Sequence, residues 1–163
     1  TVTRLAHEII EGTADFRGTA FVGIKSRGDV LAKRLAGEIR KLTGAPVQTG
    51  SLDISFYRDD YSIRGSLAAP ETTEINFDIT GKNIIIVDDV LFTGRSIRAA
   101  MDELIDFGRP GAIQLAVLVD RGHRELPISA DYVGKNMPTS AKETVVVKLK
   151  ETDGEDAVYV ESA

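Results

Sequence analysis

One segment near the middle of the chain constrains its fold more than any other. Four apolar residues are followed by two aspartates, a short turn and a polar helix start, and the segment reads Ile84-Ile85-Ile86-Val87-Asp88-Asp89-Val90-Leu91-Phe92-Thr93-Gly94-Arg95-Ser96. A short continuous apolar run is typical of a buried strand in a parallel sheet, and we expect that strand to end at the acids. Ligands of open α/β sheets bind beyond the carboxyl ends of the strands. The segment therefore predicts an α/β fold and the position of a ligand site.

The turn after this strand has the composition of a phosphate site. A helix is predicted after Ser96, because apolar residues recur there at helical spacing, at Ile97, Ala100, Met101 and Leu104. The first N–H groups of a helix are unpaired and carry partial positive charge, which suits a phosphate. Gly94 lets the backbone approach a ligand closely, and the hydroxyls of Thr93 and Ser96 add donors.

The two acids complete a site for a phosphorylated sugar. Asp88 and Asp89 can accept hydrogen bonds from neighbouring sugar hydroxyls, or approach a diphosphate that carries a metal ion. The alternative is a buried strand followed by a solvated acidic turn. A response-regulator receiver domain also has acids at strand ends, but its pair would follow the first strand, whereas here the pair lies past the middle of the chain.

Composition limits the class of protein. The 163 residues suit one domain over residues 1–163, and 42% hydrophobic with 28% charged residues is ordinary for a globular protein. There is no long apolar run, signal peptide or cysteine, so we expect a cytoplasmic protein without membrane contact. The net charge of −5 means that any nucleic-acid binding must use a local basic patch.

Periodicity predicts alternating helices and strands. An amphipathic helix is predicted over residues 2–10, and a second after the turn at Asp29. Strands are predicted at residues 19–24, 51–57, 113–119 and 131–134, with a C-terminal hairpin over 144–160. Residues 58–73 are polar and aperiodic and predict a mobile loop, with 74–79 as the returning arm of a β-ribbon. Such alternation implies a mainly parallel sheet flanked by helices.

Two further segments are candidates for anion binding. Lys25-Ser26-Arg27-Gly28 lies between a buried strand and a helix, and its cations and amides suit a diphosphate. The alternative is a solvated turn. The second segment begins at Arg58, which could approach the same ligand if residues 58–73 close over it; the alternative there is a solvated hairpin tip.

Residues 84–96 resemble the signature of type I phosphoribosyltransferases, which use 5-phosphoribosyl-1-diphosphate (PRPP). The wider chain resembles the bifunctional pyrimidine-operon attenuation regulators and uracil phosphoribosyltransferases. That likeness is carried by Leu5-Ala6-His7-Glu8-Ile9-Ile10, Tyr57-Arg58-Asp59-Asp60, Gly108-Arg109-Pro110 and residues 115–140. It implies the type I phosphoribosyltransferase fold, with a small hood and a flexible β-ribbon loop.

The resemblance implies conversion of uracil and PRPP to UMP and diphosphate with Mg²⁺. The implied catalytic residues are Asp88, Asp89, Arg27 and Arg58, and the implied PRPP- or UMP-binding residues are Ser26, Arg27, Gly28, Asp88, Asp89, Val90, Leu91, Phe92, Thr93, Gly94, Arg95 and Ser96. The implied uracil-binding residues are Asp120, Arg121 and Val145. Mg²⁺ would enter with the PRPP diphosphate, with Asp88 and Asp89 as candidate ligands. The family's strained non-proline cis peptide would fall at Ser26–Arg27.

The second implied function is UMP-dependent binding of a leader stem-loop of pyrimidine-operon RNA, by Thr3, Arg4, His7, Arg124 and Lys135. Homodimers or homotetramers are implied as well. Ser129 stands where these regulators usually have arginine, and losing a cation weakens RNA affinity. Two alternatives stay open, namely a housekeeping phosphoribosyltransferase without RNA binding and a nucleotide-sensing regulator with little turnover. A purine or orotate phosphoribosyltransferase has less support from the sequence.

Overall fold

The structure, a computed structural model, describes residues 1–55 and 72–162. In chain order its elements are α1 (Val2–Gly12), a 3-10 turn (Phe16–Gly18), β1 (Thr19–Ile24), α2 (Gly28–Thr43), β2 (Gln48–Leu52), β3 (Asn83–Leu91), α3 (Arg95–Ile105), β4 (Ala112–Asp120), β5 (Tyr132–Asn136), β6 (Glu143–Lys148), α4 (Lys150–Asp153) and β7 (Ala157–Ser162).

The central sheet has five strands in the order β2-β1-β3-β4-β5, and all of its pairings are parallel. After β1 the chain crosses to β2 on one side, and from β3 it continues to β4 and β5 on the other. The order therefore reverses between β1 and β3, and the loops that follow these two strands lie side by side at the carboxyl edge. This reversal point is where open α/β sheets bind ligands.

Apolar side chains on both faces of the sheet form two core clusters. All six residues of β1 are buried, as the continuous apolar run predicted. One face packs against α1 and α2 through side chains such as Phe21 and Ile85, and the other packs against α3 through Ile84 and Ile86. Each such side chain, being fully buried, contributes about 2 kcal/mol to folding. The predicted helix-flanked parallel sheet is confirmed.

A second, two-stranded antiparallel sheet of β6 and β7 forms a small hood, and α4 lies between the two strands. Val145, Val147 and Leu149 belong to the core cluster that contains α1 and α2, so the hood is anchored on that side. Gly154 ends α4 in the left-handed conformation that glycine adopts without strain. The predicted C-terminal hairpin is confirmed, with a helical turn inserted between its arms.

The predicted strand at residues 51–57 is wrong in its position. The observed β2 ends at Leu52, where its pairing with Ile24 ends. The Asp53 carboxylate then accepts hydrogen bonds from Ser55, at 2.9 Å from the amide and 2.6 Å from the hydroxyl, which turns the chain out of the sheet. Residues 56 and 57 lie outside the described ranges. The predicted returning arm at 74–79 is reduced to one antiparallel bridge between Ser51 and Glu74.

Two boundaries near the signature also differ from expectation. Strand β3 does not end at the acids but continues to Leu91, because Val90 and Leu91 still pair with Val119 and Asp120 of β4. Helix α3 begins at Arg95, two residues earlier than predicted. Within the described ranges, no helix combines the length and apolar character that a membrane span requires.

Candidate functional site

The turn between β3 and α3 is shaped by short-range hydrogen bonds. Gly94 precedes the helix with a φ of 94°, a left-handed conformation that favours glycine. The Thr93 hydroxyl accepts from the Arg95 amide at 3.2 Å, and the Thr93 carbonyl accepts from the amides of Glu125 and Leu126. The loop after β4 therefore supports the turn from outside.

A cavity of about 330 Å³ opens at this turn. It is lined by Asp88, Val90, Leu91, Phe92, Thr93, Gly94, Arg95, Ser96, Ile97, Arg121, Glu125, Thr144 and Val145. Most of the predicted PRPP- or UMP-binding residues and two of the three predicted uracil-binding residues thus lie around one space. The lining joins a helix N-terminus, a buried carboxylate and an apolar wall from the hood.

The two aspartates occupy successive positions of β3, and successive side chains of a strand point to opposite faces. Asp88 is 7% exposed and lines the cavity, and one of its carboxylate oxygens accepts from the Asp89 amide at 2.9 Å. Asp89 is half-buried and accepts from the Val90 amide at 2.8 Å, and its charge contributes to raising the pKa of Arg27. Asp88 therefore faces the cavity at the turn, and Asp89 acts on the neighbouring loop.

That neighbouring loop, residues 25–28, packs closely on β3. A Cβ added to Gly28 would overlap the carbonyl oxygen of Val87, so only glycine allows this approach. The cis peptide lies at Lys25–Ser26, one bond earlier than the predicted Ser26–Arg27. The expected position was therefore wrong by one residue. It is Arg27, beyond that bond, that takes a positive φ of 79°. Ser26 is exposed beside it.

Arg27 makes a two-pronged ion pair with Asp153 of α4, at 2.8 and 3.1 Å. Hydrogen bonding to this carboxylate is the main cause that raises the pKa of Arg27, and the same contact lowers the pKa of Asp153. Asp153 also accepts from the Leu149 amide at 2.8 Å. The sequence placed Asp153 only within the predicted C-terminal hairpin. An acid before a glycine carries no signal that it will meet a loop more than a hundred residues away.

Arg121 is 5% exposed although it is charged. Its guanidinium lies 3.9 Å from the centre of the Phe92 ring, a cation–π contact, and donates to the Thr139 hydroxyl at 3.2 Å and to the Ser140 carbonyl at 3.1 Å. Val145 of the hood lines the same cavity. These contacts fix Arg121 as one wall of the cavity and link the signature turn to the segment before the hood.

The carboxylate of Asp120, the third predicted uracil-binding residue, is bound elsewhere. It accepts from Arg124 at 2.7 Å and from the Gly122 amide at 3.0 Å, and it lines a separate cavity with both residues. Arg124 also donates to the carbonyls of Phe92 and Ile128, both at 2.8 Å. The Asp120 side chain is therefore engaged in holding the loop after β4 rather than in lining the space near Val145.

The predicted RNA-binding residues separate into two groups. Thr3, Arg4 and His7 are exposed on α1, and Arg4 donates to the Gly134 carbonyl, next to the exposed Lys135. Thr3 and Lys135 both line a groove of about 540 Å³. Arg124 instead lines the cavity beside Asp120, with its three contacts already described. Arg58 lies outside the described residues.

The fold and this site define a phosphoribosyltransferase. The family model described as "Phosphoribosyl transferase domain" matches residues 1–152, and the chain belongs to that family. It is 54% identical to "Bifunctional protein PyrR" of Chloroflexus aurantiacus over 159 residues, which cover 98% of this chain and 87% of that protein. It is 56% identical to the protein of the same name from Deinococcus deserti over 157 residues, covering 96% and 86%. The chain is therefore a member of the PyrR family, as the sequence resemblance predicted.

Solved structures support the fold independently. A hypoxanthine-guanine phosphoribosyltransferase from Bacillus anthracis superposes with a TM-score of 0.70 at 20% identity, over 99% of this chain and 90% of that one. A hypoxanthine phosphoribosyltransferase from Trypanosoma cruzi gives a TM-score of 0.71 at 19% identity, over 98% and 87%. At this identity the likeness concerns the fold alone. The predicted type I phosphoribosyltransferase architecture is confirmed.

Proposed function

We propose that this phosphoribosyltransferase uses uracil as its base, converting uracil and PRPP to UMP and diphosphate. The observation that carries the proposal is the single cavity between the signature turn and the hood. Its lining offers helix-terminal N–H groups and hydroxyls for a phosphate, the Asp88 carboxylate for a ribose, and Arg121 and Val145 for a base. These three kinds of group match the phosphate, the ribose and the base of UMP.

Phosphate and ribose are assigned to the turn and to the acids. The 5′-phosphate is held by the backbone and hydroxyls of residues 93–96, where the partial charge of the α3 N-terminus favours an anion. Asp88 and Asp89 accept hydrogen bonds from the 2′- and 3′-hydroxyls of the ribose. Their amide contacts at 2.9 and 2.8 Å orient both carboxylates before a substrate binds.

The diphosphate is assigned to residues 25–28, with Arg27 as the principal cation and Arg58 as a second one. Within the described ranges no three acids or histidines cluster as a metal site, so the residues in these ranges do not by themselves surround a cation. Mg²⁺ commonly binds through one or two carboxylates plus substrate phosphates, which fits the pair Asp88 and Asp89. The bound ion would neutralise charge on the departing diphosphate.

In the reaction, N1 of uracil forms a bond to C1 of the ribose while the bond from C1 to the diphosphate oxygen breaks. The N1 proton passes to solvent, and the electron pair of the broken bond leaves with the diphosphate. No general base is assigned to the cavity. Positioning of the two reactants and electrostatic stabilisation by Arg27 therefore supply the rate enhancement.

Phe92 supports a pyrimidine rather than a purine substrate. The family resemblance implies that purine-specific phosphoribosyltransferases have an acid inside the signature turn, at the position where this chain has Phe92. The ring of Phe92 packs against Arg121, so this position supports the base wall in place of a carboxylate. Position 92 therefore offers no carboxylate that could bind a purine.

The test of the cavity assignment is a comparison of UMP and uridine by titration calorimetry, with Thr93→Val as the variant. We expect UMP to bind, uridine to bind at least tenfold more weakly, and the variant to lose affinity for UMP alone, since only UMP carries the phosphate that this turn would hold. The matched control is Thr80→Val, which removes an exposed hydroxyl outside the cavity. Equal affinities of UMP and uridine would contradict the assignment.

We propose as the second function the UMP-dependent binding of a pyrimidine-operon leader stem-loop. The name of the relatives, "Bifunctional protein PyrR", favours a second activity. Thr3, His7 and Lys135 are exposed, and Arg4 joins α1 to β5, so these groups offer phosphate and base contacts on adjoining elements. Arg124 would contribute chiefly by holding the loop after β4, because its donors are already used within the protein.

The RNA proposal is tested by filter retention of a leader stem-loop at two salt concentrations, with and without UMP. We expect tighter retention with UMP and a steep fall with salt, because phosphate contacts release counterions. His7→Ala should weaken binding, whereas Lys41→Ala, on the exposed end of α2, serves as the matched loss of a surface side chain. Retention no tighter than that of an unrelated hairpin would favour a housekeeping enzyme.

We also propose that the protein forms a homodimer or homotetramer, which analytical sedimentation would test.

A further inference from the structure

Two acidic side chains are buried together at some distance from the signature turn. Asp53 follows β2 and is 8% exposed, and Glu103 lies on α3 and is 7% exposed. Thr73 connects them, because its hydroxyl accepts from the Asp53 amide at 2.9 Å and donates to Oε1 of Glu103 at 2.7 Å. Neither acid lines the cavity assigned to UMP.

In each of these carboxyl groups, one oxygen accepts a hydrogen bond and the other has no partner among the described residues. Oδ1 of Asp53 accepts both the amide and the hydroxyl of Ser55. Oδ2 of Asp53 and Oε2 of Glu103 are buried and, among the described residues, accept no hydrogen bond. Burying an unpaired acceptor is unfavourable, and burying two neighbouring negative charges is more so. A single proton on Oε2 of Glu103, donated to Oδ2 of Asp53, would satisfy both oxygens and remove one charge.

The segment that Thr73 belongs to reaches the loop assigned to the diphosphate. The carbonyl of Thr72 accepts from Nζ of Lys25 at 2.6 Å, and Lys25 opens that loop. Glu74 is paired with Ser51 by two backbone hydrogen bonds, at 2.8 and 2.9 Å. Residues 72–74 are therefore fixed on one side by β2, on another by Glu103, and they hold Lys25 in turn.

We propose that Glu103 and Asp53 share one proton, and that this neutralised pair makes Glu103 a positioning residue that holds Lys25 through Thr73 and Thr72. The positioning role rests on the proposed function, since it concerns the loop assigned to the PRPP diphosphate. The shared proton does not rest on it. Glu103 touches no substrate in this arrangement and acts only through the segment it holds.

The electrostatic surroundings agree with a proton on Glu103. Burial is the largest cause that raises the pKa of Glu103, the hydrogen bond from Thr73 opposes it, and the charges of Asp53 and Asp106 raise it further. No cation is among the groups that shift this pKa, and Lys25 binds the Thr72 carbonyl rather than either acid. The rest of the buried face of α3 is apolar, with Ile97, Ala99, Ala100 and Leu104.

A raised pKa in the folded state has a definite consequence for stability. Above the pKa of an unfolded glutamate, about 4.3, the folded chain retains a proton that the unfolded chain has lost. The stability contributed by this proton is present at low pH and is lost as pH rises through the folded-state pKa. Beyond that pH two like charges face each other, and we expect the Thr73 contact and the hold on Lys25 to weaken.

The experiment compares the wild type with Glu103→Gln, which keeps the shape and can donate an amide N–H to Asp53 at every pH. The unfolding temperature without ligand, measured from pH 5 to 9, tests whether the folded state retains the shared proton. KM for PRPP and kcat, measured over the same pH range, test whether Glu103 positions the loop that begins at Lys25. Asp102→Asn is the matched control, because Asp102 is the exposed neighbour on α3. Thr73→Val removes the connecting hydroxyl, and Thr73→Ser should restore it.

We expect Glu103→Gln and the wild type to unfold alike at low pH and to diverge as pH rises, with the wild type less stable. Over the same pH range, KM for PRPP of the wild type divided by that of Glu103→Gln should rise severalfold, while kcat of each protein changes little. Asp102→Asn should show neither trend. Thr73→Val should raise KM severalfold at every pH, and Thr73→Ser should not.

A constant difference in unfolding temperature between Glu103→Gln and the wild type across the pH range would overturn the shared proton. An unchanged KM in Thr73→Val would overturn the positioning role. If the wild type forms no UMP at any pH, the proposed function has failed, and the unfolding curves still decide whether the proton is shared.

Discussion

Asp88 and Asp89 are adjacent in sequence, but the strand directs them into different surroundings. Asp88 is buried at the cavity and Asp89 is half-buried towards Arg27. If both hold the ribose, neither can replace the other. We expect Asp88→Asn and Asp89→Asn each to lower kcat/KM for PRPP by about 100-fold, the size typical of losing one oriented group at a transition state.

The control for these variants is Asp102→Asn, which removes the same charge from an exposed position of α3. Steady-state kinetics with PRPP as the varied substrate makes the comparison. Wild-type kinetics in either Asp88→Asn or Asp89→Asn would refute the ribose assignment for that residue.

Glycine is required at position 28 because of a close contact with a neighbouring strand, and not because of its own backbone conformation. A Cβ at this position would overlap the Val87 carbonyl oxygen of β3. We expect Gly28→Ala to destabilise the fold by about 1–3 kcal/mol and to raise KM for PRPP, because the loop must move away from the strand. Gly37→Ala on α2, where a Cβ meets nothing within 4 Å, should be stabilising by about 0.5–1 kcal/mol. Chemical denaturation of both variants measures this difference.

Residue positions could be predicted from the sequence where neighbours along the chain determine them. Thr93, Gly94 and Asp88 line one cavity because strand, turn and helix follow each other directly, and their ligand contacts stay a prediction. The contacts of Asp153 and Glu103 could not be predicted, since they depend on partners brought together by the fold. The family resemblance implied Asp120 as a uracil-binding residue, and in the structure its carboxylate accepts a hydrogen bond from Arg124, a contact that the sequence did not reveal.

At the scale of elements, the hood is attached by ion pairs from α4 and the segment after it. Arg34 of α2 bonds Glu151 at 2.6 and 2.9 Å and Asp156 at 2.7 Å, and Arg27 bonds Asp153. Hydrogen bonding to the arginines is the largest cause that lowers the pKa of each of these acids. The hood therefore depends on carboxylates that must stay ionised.

The sign of the pH effect follows from these lowered pKa values. Each acid contributes stability that is present above its unfolded pKa, about 3.9 for aspartate, and that is lost as pH falls through the lower folded-state value. We expect Asp153→Asn to unfold at a lower temperature than the wild type at pH 6, and the gap to close below about pH 4. Scanning calorimetry from pH 6 to pH 2.5 measures it, with Glu161→Gln on β7 as control. A gap that persists at the lowest pH would refute the ion-pair explanation.

Sequence periodicity identified most elements but misjudged ends where pairing partners decide. Strand β1 was predicted at its observed bounds, because its apolar run is bordered by polar residues. Strand β2 was shifted, since the alternation continues into residues that the Asp53 turn removes from the sheet. Strand β3 continued past the acids because β4 offered further partners. A side-chain pattern cannot reveal where a neighbouring strand ends.

At the scale of the whole molecule, a net charge of −5 opposes RNA, so single cations should have measurable effects. Ser129 is exposed, and the family resemblance implies an arginine at this position. We expect Ser129→Arg to tighten leader RNA binding and to steepen the slope of log affinity against log salt by about 0.9, the value for one added phosphate contact. Filter retention across a salt series measures both, with Ser129→Gln as the uncharged control. An unchanged slope would place residue 129 away from the RNA.

The mainly parallel sheet flanked by helices could be predicted, because strands alternate with helices along the chain and the family resemblance extends over nearly all of it, whereas the order of the strands was not predicted. The sheet order β2-β1-β3-β4-β5 brings the two anion loops together, as a site at that edge requires. The internal contacts of the site, such as Arg121 on Phe92 and Arg27 with Asp153, needed the three-dimensional arrangement.

The most direct measurement is the formation of UMP from labelled uracil, PRPP and Mg²⁺, with hypoxanthine offered as a competing base. We predict one UMP and one diphosphate for each PRPP consumed, no nucleotide from hypoxanthine, and loss of the reaction in Asp88→Asn. Consumption of hypoxanthine in preference to uracil, or UMP formation that survives Asp88→Asn, would contradict a uracil site built on the β3 signature turn.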